Sequence, residues 1–194
     1  MLLLQTALLQ TALLRSKPHS HPYTSMLDQY QMTRQEALDR LRDFGIQGED
    51  VYLIDLIPLV EMIWSDGQAQ ASEIGIFKDY LIKHVNNVNT IAGYKMLTIE
   101  KAERFLQRFL TGRPSEKLLH TLRSLIPPLR LSSSDNDANQ ILRTSMLQGC
   151  LDIAASSVTE DPHQAMERFC SDEKKCWFEI FDTLKDRSKS APYN

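Results

Sequence analysis

Apolar residues recur at helical spacing along most of the chain, and no stretch shows the sustained alternation of a strand. Thr33, Arg34, Gln35 and Glu36 form a capping box. Leu38, Leu41 and Phe44 follow one turn apart, and Gly45 provides a stop. From about Asp50 to Ser65 the run is apolar on nearly every face, which predicts a buried central helix kinked at Pro58. After the Ser65-Asp66-Gly67 turn, a helix over about Ser72 to Val85 directs Ile76, Phe77, Tyr80 and Leu81 inward. Asn86, Asn87 and Asn89 then break it, so residues 86–97 read as a connection.

Thr98 caps a helix through Phe105, Leu106, Phe109 and Leu110, and Gly112 stops it. Pro114 opens another through Leu118, Leu122 and Leu125, which Pro127-Pro128 ends. The polar cluster Ser132 to Asp135 is a loop. Ile141, Met146, Leu147, Cys150, Leu151 and Ile153 mark a long helix to about Ser156. Asp161-Pro162 starts a short helix, and a last one begins near Ser171 with Cys176, Trp177, Ile180, Phe181 and Leu184. The pattern predicts an all-α, single-domain bundle of about seven to eight helices.

The domain is expected over residues 26–186, with a frayed C-terminal tail at 187–194. Residues 1–25 read as a flexible tail or as the product of a mis-assigned start ahead of Met26. The first fourteen residues repeat Leu-Leu-Gln-Thr-Ala, a run too short to span a bilayer. Arg15 and Lys17 follow this run, whereas a signal peptide carries its basic residues first.

Composition narrows the function classes. With 42% apolar and 24% charged residues the chain has the balance of a water-soluble globule. A net charge of -3 gives no overall attraction to nucleic acid or anionic lipid, so no nucleic-acid partner is expected. Cys150, Cys170 and Cys176 are an odd, sparse set without C-x-x-C spacing, which points to a reducing, cytoplasmic setting and to neither a disulfide framework nor a zinc site.

The segment from Leu56 to Glu73 has an apolar helix, then Asp66-Gly67, then the small residue Ala69. Glu73, seven positions after the Asp, opens the next helix. This resembles the signature of the TerB-like family, which includes the tellurite-resistance protein TerB and the N-terminal domain of the membrane-tethered co-chaperone DjlA. The resemblance implies an all-helical, internally duplicated domain, protein partners, a stress-response setting and an acidic surface that holds a divalent cation, calcium or magnesium before zinc. A degenerate second copy runs from Leu151, Ala154, Ala155 and Ser156 to Glu173 and Phe178, with Val158 to Pro162 in place of Asp-Gly.

The candidate metal ligands are Asp66 and Glu73, with Glu61 or Asp55 beside them. Asp55 and Asp66 lie roughly 16 Å apart on an unbroken helix, too far to share one ion. Structure alone also accounts for these residues: Asp66 bonds the amides of a turn, and Glu73 complements a helix dipole. Asp55 and Glu61 lie within an apolar helix, where a carboxylate needs a partner or shifts its pKa upward.

No catalytic constellation is visible: the histidines are scattered, and neither a nucleophile elbow nor a phosphate loop occurs. His19 and His21 lie in the proline-flanked tail, and Cys176 beside Trp177 reads as helix packing. Arg104, Arg108, Arg113, Lys117, Arg123 and Arg130 read as a solvated basic face or a docking face for an acidic partner. The expectation is a non-enzymatic, partner-binding module. Its alternatives are a helical enzyme or accessory subunit using Asp55 and Glu61, and a co-chaperone-like interaction domain without the J-domain triplet.

Overall fold

The computed structural model describes residues 32–156 and 170–185, and among these the protein is all-α, without a strand. The described residues belong to one compact unit. The tails at 1–25 and 187–194 and the Asp161-Pro162 helix start lie outside the described residues.

Helix α1 (Arg34–Asp43) starts as the sequence predicts: the Thr33 hydroxyl accepts from the Glu36 amide at 3.3 Å, and Glu36 accepts from the Thr33 amide at 2.8 Å. The chain then enters a 3-10 segment, Gly48–Leu56, followed by α2 (Ile57–Ile63). The expected kinked helix is therefore two elements. Pro58 lies in the first turn of α2, where a backbone N–H has no intrahelical partner and its absence costs nothing. All seven residues of α2 are buried.

Helix α3 (Ala71–Ala92) extends a full two turns beyond the predicted end. Val85 and Val88 continue its buried face, while Asn86 and Asn87 point to solvent. Asn89 does not break the helix. Its side-chain oxygen accepts from the amides of Met96 and Leu97 at 2.8 Å each, and its nitrogen donates to the Leu97 carbonyl at 2.9 Å. The asparagine thus fastens the following loop to the helix.

Thr98 caps α4 (Ile99–Leu110), and Ser115 caps α5 (Glu116–Ser124). Pro127-Pro128 do not end the helical run as expected but occupy the opening of α6 (Ile126–Arg130), again in a first turn. Helix α7 (Asn136–Ser156) and helix α8 (Ser171–Leu184) match the predicted positions.

The short, buried α2 lies at the centre, packed by α7, α5 and α8, and α3 packs along α7. Gly149 of α7 permits the closest approach: a Cβ there would lie 3.0 Å from Leu59 Cδ2 and 3.1 Å from Tyr80 Cε1. Tyr80 donates to Asp152 at 2.6 Å and fastens α3 to α7 at the same level. No helix among the described residues is long and apolar enough to cross a membrane.

Candidate functional site

The buried centre carries six polar residues among the described positions, and three of them, Asp55, Glu61 and Arg123, together with the half-buried Arg130, make two acid–base pairs that join distant parts of the chain. Asp55, in the last turn of the 3-10 segment, faces Arg130 at the end of α6. Arg130 Nε lies 3.1 Å and 3.0 Å from the two carboxylate oxygens, and its Nη2 lies 3.0 Å from Oδ2. The guanidinium also lies over the Tyr52 ring at 4.7 Å. His84 approaches the same carboxylate at 3.9 Å, and its ring bonds the Tyr52 carbonyl at 2.7 Å. Asp55 is thereby clamped through the side edge of an arginine.

Glu61 is paired differently. Arg123 Nη1 donates to Glu61 Oε2 at 2.8 Å, and both side chains are more than nine-tenths buried. Burial pushes the Glu61 carboxyl up to about 7, against the pull of the Arg123 charge and hydrogen bond and with a small further push from Glu179. Arg123 Nε is buried and has no partner. Both residues of the pair line a cleft of about 450 Å³ between α2, α5 and α8, with Trp64, His120, Lys175 and Cys176 also lining it. Burial pushes the Cys176 thiol up to about 12, away from nucleophilic thiolate chemistry.

The remaining two predicted site residues lie at the turn into α3. Asp66 Oδ1 accepts from the Gln68 amide at 2.9 Å, and Glu73 accepts from the Gln70 amide at 2.8 Å. Gly67 takes a φ of +91° between them, a conformation that a side chain disfavours. Glu73 is buried, and its carboxyl is pushed up to about 7 by burial first, against the Gln70 hydrogen bond and with help from the charges of Asp66 and Glu173. Glu173 repeats the arrangement in α8, accepting from the Cys170 amide at 2.7 Å. The glutamate picked out in the degenerate second copy thus has the same capping position as Glu73.

The four carboxylates do not form one site. Asp55 and Glu61 each have an arginine, and Asp66 and Glu73 each bond a backbone amide. Among the described residues no group of three or more His, Cys, Asp or Glu side chains is arranged to hold a metal ion. Calcium takes six to eight oxygens, and Asp66 and Glu73 bring two carboxylates, each of which accepts from one backbone amide.

Arg123 and Arg130, expected on a basic face that is solvated or docks an acidic partner, are instead buried and half-buried in ion pairs with this chain's own carboxylates. A signal was available: Leu119, Arg123 and Ile126 are spaced i, i+4, i+7, so Arg123 falls on the apolar stripe of its own helical run. A second hollow of about 390 Å³ lies between α3 and α4 over Phe77 and Leu106, with charged groups only at its exposed rim. No family model, curated protein or solved structure matches the chain.

Proposed function

We propose that the protein is a non-enzymatic, TerB-like helical module that works in the cytoplasm, in a stress-response setting, by binding a protein partner at the cleft between α2, α5 and α8. The observation that carries this reading is the Arg123 guanidinium, buried in the cleft wall and satisfied by Glu61 on one side only. Burying an arginine costs stability, and an unmade hydrogen bond there adds on the order of 1–3 kcal/mol. A stability role would be met more cheaply by an apolar residue. A site that receives a partner gives that cost a use.

The TerB-like motif supports the module reading, and the matching caps at Glu73 and Glu173 fit the internal duplication that the resemblance implies. The acid–base alternative keeps one candidate, because Glu61 lines the cleft with its carboxyl pushed up to about 7, whereas Asp55 is held through both oxygens by Arg130. A photo-crosslinking residue placed at His120, exposed on the cleft lining, tests the proposal in living cells against the same residue at Ile91, which is exposed elsewhere. A discrete adduct from position 120 and none from position 91 is expected. Equal labelling from both positions, or none from either, would overturn the proposal.

A further inference from the structure

We infer that the outer face of α8 is a second docking surface, which takes an amphipathic helix of a partner protein with apolar residues at its centre and a carboxylate one turn away. Phe178 is 53% exposed and Phe181 40% exposed, on a helix whose inward face buries Glu173, Ile180 and Leu184. Lys174, Phe178 and Phe181 are spaced i, i+4 and i+7, which aligns them in one stripe, and Lys185 continues it at the end of the helix. None of the four lines the cleft, to which α8 gives Asp172, Lys175, Cys176 and Glu179. The surface is therefore distinct from the cleft.

Both phenylalanine rings are held in place. The half-buried Trp177 stacks on Phe181 with ring centroids 5.4 Å apart and 16° between the planes, and it meets Phe178 edge-on, also at 5.4 Å. Rings fixed in this way lose little freedom when a partner covers them, as the aromatic anchors of an interface require. No strand edge is present among the described residues to pair with an extended partner, so the occupant satisfies its own backbone, as a helix does. The stripe from Lys174 to Lys185 is about 16 Å long at the helical rise, which about three turns of a partner helix cover.

Charge decides which helix fits. Lys174 is exposed and has no ion pair among the described residues, whereas Lys175 is near Glu179 at 4.0 Å and Lys185 pairs with Asp182. A second copy of the chain is disfavoured. An antiparallel pairing that brings Phe178 onto Phe181 of the other copy sets Lys174 against Lys185, and a parallel pairing sets Lys174 against itself. A helix with Glu or Asp one turn from its apolar pair gives Lys174 the carboxylate that its own chain does not.

The test selects binders from a displayed library of short random peptides on the full-length protein, in parallel with the Phe178→Ser/Phe181→Ser and Lys174→Glu variants, each checked for folding by circular dichroism. The expected wild-type consensus has two apolar residues three or four positions apart and an acidic residue one turn away. A peptide synthesised to that consensus should bind the serine variant about tenfold more weakly. It should bind Lys174→Glu about fivefold more weakly and regain affinity there when its acid is changed to lysine. No enrichment over a blank surface, a consensus without acids, or equal recovery of the consensus by the serine variant would overturn the inference. Sedimentation showing a concentration-dependent dimer that the serine variant abolishes would overturn it as well, because the face would then belong to a second copy.

Discussion

Arg123 Nη1 lies 2.8 Å from Glu61 Oε2 in a cleft wall where both side chains are nearly sealed from solvent, yet Arg123 Nε meets no acceptor. Arg130 and Asp55, the other buried pair, are joined through both oxygens. The Arg130 pair engages both carboxylate oxygens, and the Arg123 pair engages one.

The Asp55 pair should respond asymmetrically to loss of either partner. Asp55 is 1% exposed and Arg130 is 21% exposed, so Arg130 can turn to water when its partner is removed and Asp55 cannot. Arg130→Met should cost about 3 kcal/mol by leaving a buried charge, and Asp55→Asn about 1 kcal/mol, because the amide oxygen still accepts. Urea unfolding of the two variants measures the difference.

Stability should fall as pH rises through the window between the usual carboxylate range and about 7. Glu61 and Glu73 are both held up to about 7 in the folded state by burial. Within that window the native protein keeps protons that the unfolded chain releases, so raising the pH favours unfolding, and the loss is complete above the folded values. Unfolding at about pH 5 and about pH 8 should show this slope, and Glu61→Gln and Glu73→Gln should each remove part of it.

At the turn into α3, the account predicts a capping role. Glu73→Gln keeps an oxygen for the Gln70 amide and removes repulsion from Asp66 and Glu173, so at alkaline pH it should be neutral or stabilising. Glu73→Ala loses the cap and should cost about 1 kcal/mol. Millimolar calcium or magnesium should leave the Tm of the wild-type protein unchanged. A saturable rise in Tm that the Asp66→Asn/Glu73→Gln double variant abolishes would establish the cation site that the family resemblance implies.

Two glycines in helices should behave oppositely. Gly149→Ala drives a methyl to 3.0 Å from Leu59 and 3.1 Å from Tyr80 and should destabilise by about 1–3 kcal/mol. At Gly75, on the exposed side of α3, a Cβ meets nothing within 4 Å. Gly75→Ala should stabilise by about 0.5–1 kcal/mol, since alanine loses less backbone freedom in a helix. Thermal unfolding of the pair separates close packing from propensity.

Where local chemistry decides the outcome, the chain was readable in advance. The Thr33–Glu36 box, the Asp66-Gly67 turn, the Thr98 cap and the start of α8 depend on residues within one turn of each other. Proline misled because its effect depends on register. Pro58 and Pro127-Pro128 break a helix interior but suit a first turn, and the apolar pattern does not distinguish the two. The asparagines after Val85 misled because Asn89 gains partners at residues 96 and 97, which only the folded loop supplies. The candidate site was half legible. Asp55 and Glu61 declared a need for partners by lying in an apolar run, but Arg130 and Arg123 are 75 and 62 residues away, and pairing over that distance is a tertiary fact.

The central claim is that the Glu61–Arg123 pair is kept for binding rather than for stability, and the Glu61→Met/Arg123→Met double variant addresses it directly. Replacing a buried ion pair by apolar residues of similar volume is commonly neutral or stabilising. The account predicts an unchanged or higher Tm together with loss of the adduct formed by a photo-crosslinker at position 120. Adducts that persist at wild-type level in the folded double variant would contradict it.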